Sequence, residues 1–208
     1  MDWFPNFTCM ACGCEIRNST NLYLCEKCMN NLPIMTETQS EHYSPFTYEE
    51  PIRSMILRLK YDSNGFIAKA LAPYLAAIYI KHIQQLFNED PVIIPVPLHR
   101  SRQRERGYNQ SEVLAKELAN YLNLPINTDT LIRNRKTIIQ KHMDTETRVN
   151  NMRGAFNVLP MNTSKIENKN ILLLDDVYTT GATTNECKSI LYKNGAQKVI
   201  TLTIASVF

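Results

Sequence analysis

The segment 172–183, Leu-Leu-Leu-Asp-Asp-Val-Tyr-Thr-Thr-Gly-Ala-Thr, constrains the fold of this 208-residue chain more than any other. The apolar run 171–174 predicts a buried strand that ends in two adjacent carboxylates, Asp175 and Asp176. A turn rich in hydroxyls follows, and Thr183 with Glu186 has the pattern of a capping box that opens a helix. A strand that leads through such a turn into a helix is typical of an α/β fold.

Each part of this segment has a chemical use. Backbone N–H groups at the start of a helix bind phosphate, and Gly181 lets the backbone come close to it. The two carboxylates are candidate catalytic residues, because they can accept hydrogen bonds from ribose hydroxyls or hold Mg²⁺. The other candidates for phosphate binding in the turn are Thr179, Thr180, Ala182 and Thr183. The alternative is an ordinary strand-turn-helix in which the Asp and Thr residues only cap the helix.

The rest of the C-terminal half repeats the alternation of strand and helix. Apolar runs at 92–96 and 199–205 predict two more buried strands. Asn109 and Glu112 predict the start of a helix. Its inward-facing residues are expected to be Val113, Leu114, Leu118, Tyr121 and Leu122. Alternating strands and helices predict a parallel sheet with helices on both faces.

Upstream of residue 91 the spacing of apolar residues is helical. It predicts one helix over 49–61 and a second over 67–87, with Pro73 starting or kinking the second. We therefore expect three units: a zinc-binding knuckle at 1–45, a helical connector at 46–90, and an α/β domain at 91–208.

Two cysteine pairs near the N-terminus predict a metal site. Cys9-x2-Cys12 and Cys25-x2-Cys28 supply four thiolates, the set that Zn²⁺ takes in closed structural sites. Cys14 is an alternative to Cys12 as a ligand. A structural Zn²⁺ would fold a segment that is too small to build its own core.

Composition excludes several classes of protein. The hydrophobic share of 44% and the charged share of 21% are those of a globular chain rather than a disordered one. The first residues contain no basic segment that leads into an apolar run, so we expect no secretory signal. The longest apolar stretch, 66–80, is interrupted by Lys69 and Pro73, which argues against a membrane span and for a cytoplasmic protein.

The segment 172–183 resembles the phosphoribosyl-pyrophosphate motif of type I phosphoribosyltransferases. The cysteine pairs, Leu59-Lys60-Tyr61 and three further stretches resemble the ComF family in particular. These stretches are Pro95-Val96-Pro97-Leu98-His99-Arg100, then Arg104-Glu105-Arg106-Gly107-Tyr108-Asn109-Gln110, and then Thr137, Gln140, Arg148, Asn151 and Gly154-Ala155-Phe156. The resemblance extends over nearly the whole chain.

This resemblance implies a type I phosphoribosyltransferase domain that binds phosphoribosyl pyrophosphate (PRPP) with Mg²⁺ and acts in DNA uptake during natural transformation. It implies that the segment 133–153 is a flexible loop that closes over the site. Purine-salvage relatives carry an acid where this chain has Thr179, so a 6-oxopurine acceptor is not expected. The pyrophosphate is expected to lie on a turn made of Val96, Pro97, Leu98, His99 and Arg100.

Four arginines, at positions 100, 102, 104 and 106, follow that turn. The planar guanidinium group pairs well with phosphate. Three roles are open for these side chains. They bind the ligand, as we expect for Arg100, or they form a track for single-stranded DNA with Tyr108 available for stacking. The third alternative is that they are only solvated. Two other functions therefore stay open: a non-catalytic adaptor for single-stranded DNA or a DNA helicase, and an enzyme of nucleotide synthesis with a small acceptor.

Overall fold

A computed structural model describes residues 7–16, 23–35, 41–61, 65–135 and 145–207. Short elements come first in the chain: β1 (Phe7–Thr8), β2 (Glu15–Ile16), α1 (Glu26–Asn30), β3 (His42–Tyr43) and β4 (Phe46–Thr47). The middle contains α2 (Ile52–Tyr61), α3 (Gly65–Ile78), β5 (Val92–Pro95), α4 (Arg100–Arg106), α5 (Gln110–Leu122) and β6 (Leu131–Arg133). The last part contains α6 (Thr145–Met152), β7 (Phe156–Val158), β8 (Asn170–Tyr178), α7 (Ala182–Lys193) and β9 (Lys198–Ser206).

One parallel sheet of five strands organises the chain. Its strands follow the order β3-β9-β8-β5, and β4 pairs with the far end of β9 beyond β3. The central strand, β8, pairs with β9 along nearly its whole length and with β5 over 171–174. The predicted α/β fold with a parallel sheet is confirmed. Strands β6 and β7 form a separate antiparallel ribbon.

Alternation along β8 divides the core into two layers. Leu172 and Leu174 belong to the layer that contains the buried faces of α2, α3 and α5. Ile171 and Leu173 belong to the opposite layer, with α7 and the β6–β7 ribbon. Because helices cover both faces, the strand is a continuous apolar run, and burying each such side chain contributes about 2 kcal/mol.

The helices upstream of the sheet lie close to their predicted positions. Helix α2 buries Ile52, Met55, Ile56 and Leu59 along one stripe, as the spacing indicated. Pro73 lies inside α3 rather than at its start. The helical stretch Gly65–Leu86 has 22 residues, and an 18-residue segment of it has a mean hydropathy of 1.2, so it could cross a membrane by length and composition alone. Half of that segment is buried inside the protein. Core helices of soluble proteins pass the same test, and α3 packs on α5.

Two predictions at the central strand and the helix after it need correction. Strand β8 does not end at residue 174 but runs through both carboxylates to Tyr178, because β9 continues beside it. Helix α7 begins at Ala182 with Gly181 as its N-cap, so Thr183 lies in the first turn instead of capping the helix.

Two further predictions fail outside the strand. The segment 133–153 is not one loop, since α6 occupies Thr145–Met152; residues 136–144 lie outside the described residues. Tyr121 is 60% exposed. The buried face of α5 includes the small residues Ser111, Ala115 and Ala119, which centres it away from Tyr121.

Candidate functional site

Asp175 and Asp176 lie in the C-terminal part of β8, at the sheet edge where open α/β proteins bind ligands. They are only 9% and 6% exposed. Ser111 Oγ donates a hydrogen bond to Asp175 Oδ1 at 2.9 Å, and Gln110 Nε2 donates to Asp176 Oδ2 at 2.9 Å. Both donors stand in the first turn of α5, which Asn109 caps by accepting a hydrogen bond from the Ser111 N–H.

A lysine from outside the sheet completes this pair. Lys60 Nζ, near the C-terminal end of α2, lies 3.0 Å from Asp176 Oδ2, and its side chain is 20% exposed. Within the described residues, Asp175 Oδ2 and Asp176 Oδ1 make no hydrogen bond, so one oxygen of each carboxylate is left for a ligand.

The ionisable groups of this site change one another's pKa values. Burial and the negative charge of Asp176 raise the pKa of Asp175 to about 7, despite hydrogen bonds from the Asp176 N–H and Ser111. Burial lowers the pKa of Lys60, but the charges of Asp176 and Asp175 outweigh it, so the net pKa of Lys60 is raised. The ammonium therefore stays protonated at neutral pH and offsets one carboxylate.

The turn after β8 wraps closely on itself. Gly181 has a φ of +73°, and a Cβ at this position would lie 2.4 Å from the Tyr178 hydroxyl. Thr184 Oγ1 donates to the Gly181 carbonyl at 3.1 Å, and Thr180 Oγ1 accepts from the Ala182 N–H at 3.5 Å. Four of the predicted residues line a cavity of about 20 Å³ together with Asp175: Thr179, Gly181, Ala182 and Thr183. The fifth, Thr180, adjoins them through its contact with Ala182.

The predicted pyrophosphate turn lies beside this centre. Val96 is buried, and its N–H donates to the Leu174 carbonyl at 2.8 Å. His99 caps α4, and Asn109 Nδ2 donates to the Val96 carbonyl at 3.1 Å. A cavity of about 360 Å³ opens beside the turn. Its lining includes Pro97, Leu98, His99, Arg100, Arg133 and Asn134.

The four arginines lie on two faces of helix α4. Arg100 and Arg104 are exposed and line a shallow groove together. Arg102 and Arg106 are half-buried, and burial together with the charge of Arg106 lowers the pKa of Arg102. Arg106 Nη1 donates to Gln110 Oε1 at 2.9 Å, which ties this face to the carboxylate pair.

The cysteine cluster lies at the N-terminus. The sulfurs of Cys9, Cys12, Cys14 and Cys25 all lie within 4.8 Å of one another, so they could hold a metal ion. Zinc at about 2.3 Å from four tetrahedral sulfurs holds them about 3.8 Å apart, and the Cys12 and Cys25 sulfurs are 3.8 Å apart. This group includes Cys14, and the predicted ligand Cys28 also contacts Cys9, Cys12 and Cys25. The Cys28 thiol is buried beside them, and burial followed by contacts with Cys12 and Cys25 raises its pKa.

Sequence reasoning missed three residues of the carboxylate site. Lys60, Gln110 and Ser111 contact the acidic pair, yet none was a site candidate. The sequence contained a signal for Gln110 and Ser111, because they directly follow Asn109, the predicted helix start next to the pyrophosphate turn. Tyr108, which one of the alternatives for the arginine segment made available for stacking, donates its hydroxyl to the Leu59 carbonyl.

Several known proteins are similar to this chain. The model of the phosphoribosyl transferase domain family matches residues 68–207. Competence protein F of Haemophilus influenzae is 34% identical over 154 residues, which cover 73% of this chain and 66% of that protein, just under two thirds of its length. DNA utilization protein YhgH of Salmonella typhimurium is 30% identical over 92% of this chain and 80% of that protein. A solved allosteric regulatory enzyme of purine biosynthesis aligns with 71% of this chain and 30% of its own at 20% identity and a TM-score of 0.45.

Proposed function

Since this chain belongs to the ComF family of phosphoribosyl transferase domain proteins, we propose that it binds PRPP with Mg²⁺ and acts in DNA uptake in the cytoplasm. The observation that carries the proposal is the buried carboxylate pair next to a glycine turn that enters α7. The role in DNA uptake rests on the names of the relatives, competence protein and DNA utilization protein.

The arrangement suits each part of PRPP. The unused oxygens of Asp175 and Asp176 can accept hydrogen bonds from the two ribose hydroxyls. The 5-phosphate suits the N-terminus of α7, where backbone N–H groups and the Thr180 and Thr183 hydroxyls lie. The pyrophosphate suits the turn 96–100 and Arg100, which follows it.

Both proposed metals fit the side chains that would receive them. Mg²⁺ prefers oxygen ligands and keeps several waters, and the two free carboxylate oxygens match that preference. When bound with PRPP, it would neutralise charge on the pyrophosphate. We assign structural Zn²⁺ to the cysteine cluster, because four convergent cysteine sulfurs are its usual ligands.

The test of this function is calorimetric titration of PRPP with and without Mg²⁺. We expect Mg²⁺-dependent binding by the wild type and its loss in the Asp175→Asn/Asp176→Asn double variant. Asp129→Asn is the matched control, because that carboxylate is exposed and pairs with Lys165 at the surface. Absence of binding by folded wild type, or undiminished binding by the double variant, contradicts the proposal.

A second candidate function, binding of single-stranded DNA, is favoured by two exposed aromatic rings, one at the end of α2 and one at the start of α3. Tyr61 is 67% exposed, with the Arg106 guanidinium 5.2 Å from its ring centroid. Phe66 is 57% exposed, with Lys69 5.5 Å from its ring centroid. Exposed rings with adjacent cations are the usual platform for unpaired bases.

Anisotropy titrations with a labelled oligo-dT at several salt concentrations test this candidate. The variant Tyr61→Ala/Phe66→Ala is expected to weaken binding by about tenfold, since stacking contributes about 1–3 kcal/mol per base. Replacing Arg102, Arg104 and Arg106 with alanine is expected to flatten the salt dependence. Tyr121→Ala, on the outer face of α5, serves as the control. Binding that is absent, or equal in all variants, removes this candidate.

A further inference from the structure

Two stretches of the chain that lie far apart in sequence meet over Asp176. The Tyr108 hydroxyl donates to the Leu59 carbonyl, and Arg106 lies over the ring of Tyr61. Between these two contacts, Lys60 reaches Asp176. The segment 106–110 therefore contacts the end of α2 on both sides of Lys60, at residues 59 and 61, and holds Lys60 next to the carboxylate pair.

Gln110 closes this arrangement into a ring of contacts. It receives a hydrogen bond from Arg106 at its Oε1 and donates one from its Nε2 to Asp176 Oδ2. Lys60 meets the same oxygen at 3.0 Å. Two donors from different parts of the chain thus fix one oxygen of Asp176, and Oδ1 is the oxygen left over.

Lys60 lies outside the region that the family model matches, which starts at residue 68. The phosphoribosyl transferase domain alone therefore lacks the only ammonium that contacts the acidic pair among the described residues. Without Lys60, a ligand that carries several phosphates would approach two buried carboxylates whose charge is not balanced. The neutral amide of Gln110 cannot supply that balance.

We propose that Lys60 is a positioning residue of the ligand site, which fixes the Asp176 carboxylate for the ribose hydroxyls and offsets the charge of the acidic pair. The proposal rests on the proposed binding of PRPP. Stability alone does not account for the contact, because a buried ion pair is often no more stabilising than apolar residues of similar volume. A role in orienting and neutralising a ligand-binding carboxylate does account for it.

The location of Lys60 predicts which fragments of the ligand will bind more weakly when Lys60 is replaced. Asp176 is assigned to the ribose, whereas the pyrophosphate is assigned to the turn 96–100. Replacing Lys60 should therefore weaken ligands that contain ribose much more than inorganic pyrophosphate, which would experience only the lost charge and not the misplaced carboxylate. A merely structural role would affect both fragments alike.

The experiment measures dissociation constants of PRPP, ribose 5-phosphate and inorganic pyrophosphate for full-length variants. Lys60→Met is expected to weaken PRPP and ribose 5-phosphate by at least about tenfold, and Lys60→Arg to remain within about threefold of the wild type. Lys116→Met is the matched control, since Lys116 is exposed and pairs with Glu112 at the surface. In the Asp176→Asn background, Lys60→Met should change binding by less than about twofold, because its effect passes through that carboxylate.

Each other outcome removes a different proposal or role. Wild type that binds PRPP, with Lys60→Met binding equally well, removes the role of Lys60 and keeps the proposed function. An equal loss in the Asp176→Asn background, or a loss for pyrophosphate together with a lowered unfolding midpoint, identifies a structural role instead. Wild type that binds no PRPP removes both proposals.

Discussion

The cysteine cluster and the carboxylate pair both gather anionic groups, but they differ in how the chain stabilises them. Asp176 is held by the ammonium of Lys60 and the amide of Gln110, so the pair is organised by the protein itself. In the cysteine cluster, the sulfurs contact one another. The first arrangement is complete before any ligand arrives, whereas we expect the second to need a bound cation that holds its thiolates together.

Helix α2 is the element that touches both regions. Arg58 Nη1 donates to the carbonyls of Cys9 and Met10 at 3.3 and 2.9 Å, and two residues later Lys60 contacts Asp176. Cys9 and Leu24 also belong to the same core layer as Leu172 and Leu174. The cysteine segment is therefore packed into the structure that supports the site.

Loss of the metal is the change with the largest expected effect, because it tests whether the cysteine cluster depends on a cation. We expect about one zinc per chain. Removing it with a strong chelator should cost several kcal/mol of stability, measured as a fall in the thermal unfolding midpoint. The region around the carboxylate pair is expected to keep its structure without added metal.

Cysteine variants sharpen the same prediction. Cys14→Ser is expected to lower the zinc content more than Cys28→Ser does, because the sulfur of Cys14 lies within the group of four. The reverse order would restore the ligand set expected from the paired spacing. Full zinc content in both variants would mean that the five cysteines substitute for one another.

Gly181→Ala is expected to have an intermediate effect, and it tests whether the carboxylate region is prebuilt. The new Cβ would lie 2.4 Å from the Tyr178 hydroxyl, at a φ of +73° that side chains rarely adopt. We expect a loss of about 1–3 kcal/mol in the free energy of unfolding and at least tenfold weaker PRPP binding.

Gly65→Ala is the control for this substitution. Gly65 stands at the start of α3 with open space around a Cβ, and alanine should stabilise the helix slightly. If Gly181→Ala folds and binds as well as Gly65→Ala, the turn is not held in the geometry described.

Local pattern was enough to predict the layers of the fold and the position of the acidic pair. Periodicity identified the buried stripe of α2, and an apolar run identified the centre of β8. The extension of β8 to Tyr178 depends on its neighbour β9, which no local signal reports. In the same way, Lys60 reaches Asp176 only because α2 folds back over the sheet, a contact between residues 116 positions apart.

The paired spacing of the cysteines illustrates a different limit. Spacing gives the number of ligands and their approximate grouping, but the backbone decides which sulfurs converge. The N–H of Cys9 donates to the carbonyl of Cys14 at 2.8 Å, which folds the two residues together. Cys14 thereby joins the cluster although it breaks the two-residue pattern.

The smallest expected effect is the pH dependence of stability caused by Asp175. Its pKa is raised to about 7 in the folded protein by burial and by Asp176, against about 3.9 in an unfolded chain. Between these values the folded state holds a proton that the unfolded state has lost, so the contribution of Asp175 to stability falls as the pH rises through about 4 to 7. Above pH 7 the full penalty is present.

Asp175→Asn removes this penalty and should stabilise the protein at pH 8 by about 1–2 kcal/mol, with the gain shrinking toward pH 4. Urea unfolding at a series of pH values measures it, and Asp129→Asn, at an exposed position, should show no such trend. A stabilised variant that no longer binds PRPP would show that the carboxylate is kept for binding at the expense of stability. An Asp175→Asn protein that is less stable than the wild type at both pH 5 and pH 8 would contradict this prediction. It would mean that the Ser111 hydrogen bond and the Lys60 charge already compensate the cost of burying the Asp175 carboxylate. The carboxylate pair would then be fully neutralised by the protein itself, unlike the cysteine cluster.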